Sequence, residues 1–149
     1  MTSVLSRSDK LAQRLALAIP ALLLAGAYIS QYGFGLFPCE MCWWQRYPHF
    51  AAVALALVST VAPPKRVWIC LAALAIMVSG AIGAYHAGVE YQWWESPLGC
   101  TGGDPFSLEF VRCDQAAWTL FGISLAGYNA LVSIGSAIAI WILLLARDR

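Results

Sequence analysis

The sequence predicts an all-α membrane protein, a four-transmembrane-helix bundle with both termini on the cytoplasmic side. Three observations carry that prediction. First, 60% of the 149 residues are hydrophobic and 11% are charged, whereas a soluble domain carries roughly 25% charged residues. Second, four apolar stretches lie at about 15–32, 42–61, 67–87 and 121–146, each holding the roughly 18 residues or more that cross a hydrocarbon core of about 30 Å. Third, the basic residues sort to one side. Arg7, Lys10 and Arg14 precede the first stretch, Lys65 and Arg66 separate the second from the third, and Arg147 and Arg149 follow the fourth. That makes seven of the nine basic residues. The positive-inside rule then puts both termini in the cytoplasm and the loops at about 33–41 and 88–120 outside. A soluble protein with four buried helices would need more charge on its surface. The chain reads as a single integral membrane domain, 1–149. Its net charge of +1, with no basic stripe interleaved with aromatics, gives no argument for nucleic-acid binding.

The spans follow in order. The first has a basic start, an apolar middle and Ala25-Gly26-Ala27, which together resemble a cleavable signal. Apolar character continues through Tyr28 and Ile29, so a retained span fits better. The second must begin early. A helix starting at Pro48 would have only about 14 residues before Pro63-Pro64, about 21 Å, too short for a bilayer. Starting near Cys42 gives about 30 Å and leaves Pro48 one to two turns inside, where a kink or a loosened first turn is expected. Gly80, Gly83, Ala84 and Ala87 in the third span, and Gly127 and Gly135 in the fourth, would let helices pack closely.

Of five cysteines, Cys39, Cys42, Cys100 and Cys113 fall on the outer side, where disulfides persist. Cys70 lies near the cytoplasmic start of span three and reads as a small buried hydrophobe. Four cysteines allow three pairings. Proximity favours Cys39 with Cys42, leaving Cys100 with Cys113 in a glycine-containing loop. Two inert staples are one reading, but a Cys-x-x-Cys ring closes too little chain to stabilise much, and such rings are more often redox-active. A four-cysteine zinc site is a second, disfavoured because Cys100 and Cys113 are spaced too widely for it.

The stretch FPCEMCWWQR, residues 37–46, combines the pair with a cation. Cys42 falls in the first turn of a helix, and a helix N-terminus or a neighbouring cation favours a thiolate. Arg46, four residues on, can share a face with Cys42. An arginine at membrane depth is a functional candidate by default, with snorkelling to the headgroups as the alternative. Trp43, Trp44, Trp93 and Trp94 suit an interfacial aromatic belt. A thiolate beside a cation at the lipid boundary fits an oxidant that lives in lipid, such as a quinone, whose oxygen Arg46 could hydrogen-bond as it gains charge.

These residues resemble a family. Pro38-Cys39-x-x-Cys42-x-x-Gln45-Arg46 looks like the hallmark of the DsbB family of disulfide bond formation proteins. Cys100 and Cys113 between spans three and four, Cys113-Asp114, the run from Trp118 to Leu125, Tyr85-His86 and Ser96-Pro97 also fit. The resemblance covers nearly the whole chain. It implies a four-helix bacterial inner-membrane oxidoreductase that reoxidises a periplasmic thioredoxin-fold thiol oxidase, DsbA, and passes electrons to ubiquinone or menaquinone. On that resemblance Cys100 would be attacked by the partner's thiolate, with Cys113 as its loop mate. Cys39 would exchange with the loop pair, Cys42 would be the thiolate that meets the quinone, and Arg46 would bind it. His86 would be a weaker contributor to the quinone pocket. Two features depart from family members: some have Glu where this chain has Gln45, and the Cys100–Cys113 spacing is shorter than in the longest-looped ones. Phe106 and Phe110, at i and i+4, point to a short interfacial helix in the second outer loop.

Two rivals are weighed. A vitamin K epoxide reductase-like protein also has four helices, a Cys-x-x-Cys and a loop pair, but its loop cysteines precede the Cys-x-x-Cys, whereas here they follow it. A non-enzymatic membrane scaffold or transporter subunit with structural disulfides would have Cys39 and Cys42 never cycle.

Overall fold

Arg7–Phe34 (α1), Glu40–Val61 (α2), Lys65–Glu90 (α3) and Leu125–Leu145 (α4) make up most of the computed structural model, which describes residues 5–96 and 111–146. Ser6 caps α1 in a reciprocal box: its hydroxyl accepts from the Asp9 amide at 3.1 Å, and the Asp9 carboxylate accepts from the Ser6 amide at 3.3 Å. Gly35 ends that helix in the left-handed region at φ 68°, the conformation glycine adopts without steric cost. Cys39 caps α2, its sulfur accepting from the Cys42 amide at 3.4 Å. Cys42 is therefore in the first turn, as the length argument required. The helix runs on through Pro48 to Val61.

The fourth helix starts later than expected. Thr119–Leu120 (β1) and Ile123–Ser124 (β2) pair antiparallel across Phe121 and Gly122, whose φ values are 51° and 77°. Two consecutive positive φ angles form the tight hairpin turn favoured by strand twist and cannot continue a right-handed helix. The span expected from about 121 thus begins at Leu125, capped by the Ser124 hydroxyl. The interfacial helix expected around Phe106 and Phe110 lies outside the described residues, as do Arg147 and Arg149.

The start of α1, the start of α3 and the end of α4 meet at one end of the bundle. Arg66 pairs with Asp9 at 3.2 Å and donates to the Leu144 carbonyl, and the Ser8 hydroxyl donates to the Ala146 carbonyl at 3.2 Å. Above this end sits a core of small residues, including Ala12, Ala16, Ala52, Ala56, Ala72 and Ala73, closed by Ile69, Ile76 and Ile140. Gly80 and Gly83 do what the sequence reading expected. A Cβ on Gly80 would come within 2.8 Å of Ile134, and one on Gly83 within 3.0 Å of the Ala126 carbonyl. Ala84 and Gly135, offered for the same role, are exposed. Cys70 is exposed too, a correction to the expected burial: it lies on the outward face of α3.

Leu22, Leu57, Val61, Leu131 and Ile142 are among many large apolar side chains on the outer surface. Such a surface needs an apolar surround. Three helices, α1, α3 and α4, are long and apolar enough to cross a membrane. Within α2, Gln45, Arg46 and His49 lower the apolar character of the sequence, yet all three are buried inside the bundle.

Candidate functional site: a thiol cluster beside a cavity

The end of the bundle opposite the Asp9–Arg66 pair carries the chemistry. Cys39 and Cys42 face one another with their sulfurs 3.0 Å apart. Cys39 is buried and Cys42 is partly accessible. The hydrogen bond with the Cys42 sulfur, reinforced by burial, holds the Cys39 thiol well above the ordinary thiol range. Cys113 joins Cys39, Met41 and Val89 in one buried cluster against which Cys42 packs. Cys100 lies outside the described residues.

The segment bearing Cys113 is tied to the end of α3. The Gln92 amide donates to the Asp114 carbonyl at 2.9 Å, and His86 Nε2 meets the Cys113 carbonyl at 3.2 Å. Next door, Arg112 grips Asp114 through two bonds of 2.8 and 2.5 Å. This fork holds the half-buried Asp114 carboxyl below its usual range. Tyr91 pins the hairpin: its hydroxyl donates to the Gly122 carbonyl at 2.7 Å and accepts from the Ser124 amide at 3.0 Å.

His86 belongs to the thiol cluster and also lines the cavity that holds Arg46. It is 1% exposed, with Nε2 3.6 Å from the Cys39 sulfur and 3.7 Å from a Glu90 carboxylate oxygen. Cys39, Cys42 and His86 offer ligand atoms within 4.8 Å of one another, a soft donor set that a thiophilic ion could use.

Arg46, 6% exposed, does not snorkel. It donates to Gln31 Oε1 at 2.7 Å and to the Ala27 carbonyl at 3.3 Å. Its guanidinium carbon lies 4.8 Å from the ring centres of both Tyr28 and Trp43. Trp43 thus packs on a cation, while Trp44, Trp93 and Trp94 are exposed as a belt would be. Two of the five guanidinium N–H donors are engaged by these bonds.

Cys42, Gln45, Arg46, His49, His86 and Glu90 form the polar side of one cavity of about 280 Å³. Its apolar side comes from Leu22, Leu23, Leu24 and Gly26 of α1, from Leu36, Phe37 and Pro38, and from Trp118 and Leu125 near α4. Leu22 is 69% exposed, so the lining reaches the outer face of the bundle.

Sequence reasoning missed Gln31, His49, Glu90 and Asn129. A signal was available for Gln31, His49 and Asn129, because a polar side chain inside an apolar span is costly and so marks a site; Glu90 fell in the expected outer loop and carried no such signal. His49 donates to Asn129 Oδ1, and Asn129 in turn to Gln45 Oε1 at 2.8 Å. Gln45, read in the sequence only as a departure from members with Glu, is the amide that joins this group to His86.

Comparison with known proteins gives a consistent result. The family model described as "Disulfide bond formation protein DsbB" matches residues 9–143. A protein named "Disulfide bond formation protein B" from a Polaromonas species is 30% identical, with 90% of each chain covered. One of the same name from an Azoarcus species is 31% identical over 87% of this chain and 88% of its own. Another, from Verminephrobacter eiseniae, is 31% identical over 78% of this chain and 75% of its own. No solved structure matches the chain significantly.

Proposed function

Because this chain belongs to the DsbB family of disulfide bond formation proteins, we propose that it is an inner-membrane oxidoreductase that reoxidises a periplasmic DsbA-like thiol oxidase and delivers the electrons to a membrane quinone. The observation that carries this reading is the double position of Cys42. It is half of a thiol pair with Cys39, and it lines the cavity that holds Arg46.

The proposed bundle crosses the bilayer four times as one domain. The second crossing is α2, whose polar residues face inward and whose exposed Tyr47, Phe50, Leu57 and Val58 would face lipid. With the basic end cytoplasmic, the thiol cluster is periplasmic, where a soluble partner can reach it.

In the proposed relay, the partner's thiolate attacks Cys100 of a Cys100–Cys113 disulfide and releases Cys113. The burial of Cys113 against Cys39 supports the next exchange. The Cys113 thiolate attacks Cys39 of the Cys39–Cys42 disulfide, and Cys42 leaves as the thiolate. When the partner's second thiolate resolves its bond to Cys100, Cys100 attacks Cys113 and frees Cys39. The pair of electrons then resides on Cys39 and Cys42.

By its character the cavity supports a quinone as its ligand. It is mostly apolar, with few polar groups, as cofactor sites are. A bound quinone would supply the oxidant, taking two electrons from the pair, one proton from Cys39 and a second from the aqueous side as the Cys39–Cys42 disulfide re-forms. Arg46, with N–H donors to spare, would hold the ring oxygen and stabilise charge arriving there. The Cys39 thiol keeps its proton until that last bond forms, so Cys42 is the reactive sulfur. The test follows quinone absorbance while a reduced thioredoxin-fold oxidase is supplied to protein in detergent. Cys42→Ser and Cys100→Ser are each expected to abolish quinone reduction, and turnover at the parental rate by either variant would refute the relay.

A further inference from the structure

A chain of hydrogen bonds inside the bundle has a fixed direction, and it starts at a residue the relay does not use. Two backbone carbonyls set that direction, since a carbonyl can only accept. Gln45 Nε2 donates to the Met41 carbonyl at 3.2 Å, and Asn129 Nδ2 donates to the Ser79 carbonyl at 3.2 Å. With both amides oriented, the imidazole tautomers follow. Gln45 Nε2 also donates to His86 Nδ1 at 2.9 Å, which leaves the His86 proton on Nε2, facing the cysteines. At the other end Asn129 Oδ1 accepts from His49 Nε2 at 2.9 Å. Ser79 agrees independently. Its hydroxyl proton goes to the Gln45 carbonyl at 2.8 Å, so its oxygen must accept from His49 Nε2 at 2.9 Å.

His49 therefore carries its proton on Nε2, and Nδ1 is a bare lone pair. The side chain is 3% exposed, lines the cavity with Arg46, and its Nδ1 has no partner among the described residues. A buried unsatisfied acceptor costs stability, and an imidazolium would only replace it with an unsatisfied donor. Nδ1 is sealed as it stands, and a ligand hydroxyl in the cavity would satisfy it once the His49 ring tilts toward the lining.

We propose that His49 Nδ1 is an acceptor subsite for a ring hydroxyl, so that the cavity recognises the reduced, hydroquinone form of its ligand. The inference rests on the quinone reading and deepens it. A carbonyl oxygen can take a hydrogen bond from Arg46 but has none to give His49, whereas a hydroxyl can give one. Tighter binding of the reduced form raises the reduction potential of the bound ring. A tenfold preference corresponds to about 30 mV for a two-electron couple, in the direction that draws electrons from the cysteines.

The test uses the full chain in detergent, with Cys42→Ser in every sample to block electron exchange. Affinities for a short-tailed benzoquinone and its hydroquinone are measured under anaerobic conditions. Adding His49→Phe is expected to weaken hydroquinone binding by about 5- to 10-fold, the worth of one buried hydrogen bond, and to leave quinone binding within about twofold. Equal losses for both rings, or none, would overturn the proposal. A second readout keeps the native residue: with nitrogen-15 histidine, the His49 Nδ1 resonance is expected to move on adding hydroquinone and to stay in place with quinone. An Nδ1 resonance that ignores hydroquinone overturns the proposal even if His49→Phe does not fold. Binding of neither ring to the parent would defeat the quinone reading itself, and binding of both with no dependence on His49 would defeat this inference alone.

Discussion

Arg46 is a buried cation whose structural partners are neutral: an amide oxygen, a carbonyl and two aromatic faces. Among the described residues no carboxylate lies within ion-pair distance of it. A buried charge without a counter-charge is expensive. The balance changes when Cys42, one helical turn away, becomes a thiolate, or when negative charge builds on a ring oxygen in the cavity. Arg46→Ala is expected to raise the apparent quinone KM about tenfold, the value of a charge-assisted hydrogen bond, with less effect on thiol exchange with the partner. Gln31→Leu, which frees the guanidinium from its 2.7 Å tether, should act in the same direction more weakly. An unchanged quinone KM in Arg46→Ala would remove the arginine from the site. The two sulfurs also differ in a measurable way. The Cys39 thiol is raised by the Cys42 sulfur and by burial, so it stays protonated as the pH rises through about 8.5, where an ordinary thiol ionises. Iodoacetamide applied to the reduced protein from pH 7 to 9 is expected to label Cys42 and spare Cys39, as read by peptide mass spectrometry. Equal labelling at pH 7 would contradict the asymmetry.

At the scale of elements, the α3–α4 seam decides whether the polar group inside the bundle can assemble. A Cβ on Gly83 would lie 3.0 Å from the Ala126 carbonyl, Asn129 Nδ2 and Gln45 Oε1 at once. Gly83→Ala is expected to destabilise by about 1–3 kcal/mol through overpacking and to loosen the Gln45–Asn129 bond. Gly135→Ala, with open space around it, should leave the Tm unchanged or raise it slightly, because alanine favours helix. Thermal unfolding in one detergent compares the two, and an equal Tm for both would refute the seam. Helix extents were largely legible in the sequence. Pro63-Pro64 and the bilayer length located α2, and its Cys39 cap agrees with the early start. The start of α4 was not legible, since Phe121-Gly122 reads as apolar helix until its positive φ angles are seen. Nor was the bonding of Gln45, His49, Ser79, Ser133 and Asn129. Three helices meet there, and which polar residues share a level depends on packing register, which a single chain's pattern does not encode. The meeting of Cys39 with Cys42 was legible, because two cysteines three apart at a helix start bring their sulfurs together; Cys100 lies outside the described residues. The contact of His86 with Cys39, beside its place in the cavity lining, was not legible.

For the whole molecule, the basic end and the thiol end lie at opposite ends of one bundle, the first gathering Asp9, Arg66 and the end of α4, the second Cys39, Cys42 and Cys113. That separation gives the topology proposal a direct check. A protease site inserted ahead of Ser6 is expected to be cut in inverted membrane vesicles and protected in right-side-out ones, by the positive-inside rule. The reverse pattern would turn the protein over and strand its thiols in a reducing compartment. The lining of the cavity has a further consequence. Leu22 belongs both to that lining and to the lipid-facing surface of α1, so a greasy ligand can come in sideways between helices without crossing water. Supply is then a two-dimensional problem. Turnover should follow the number of ligand molecules per lipid rather than per litre, and diluting vesicles with plain phospholipid should slow the protein while diluting them with buffer should not.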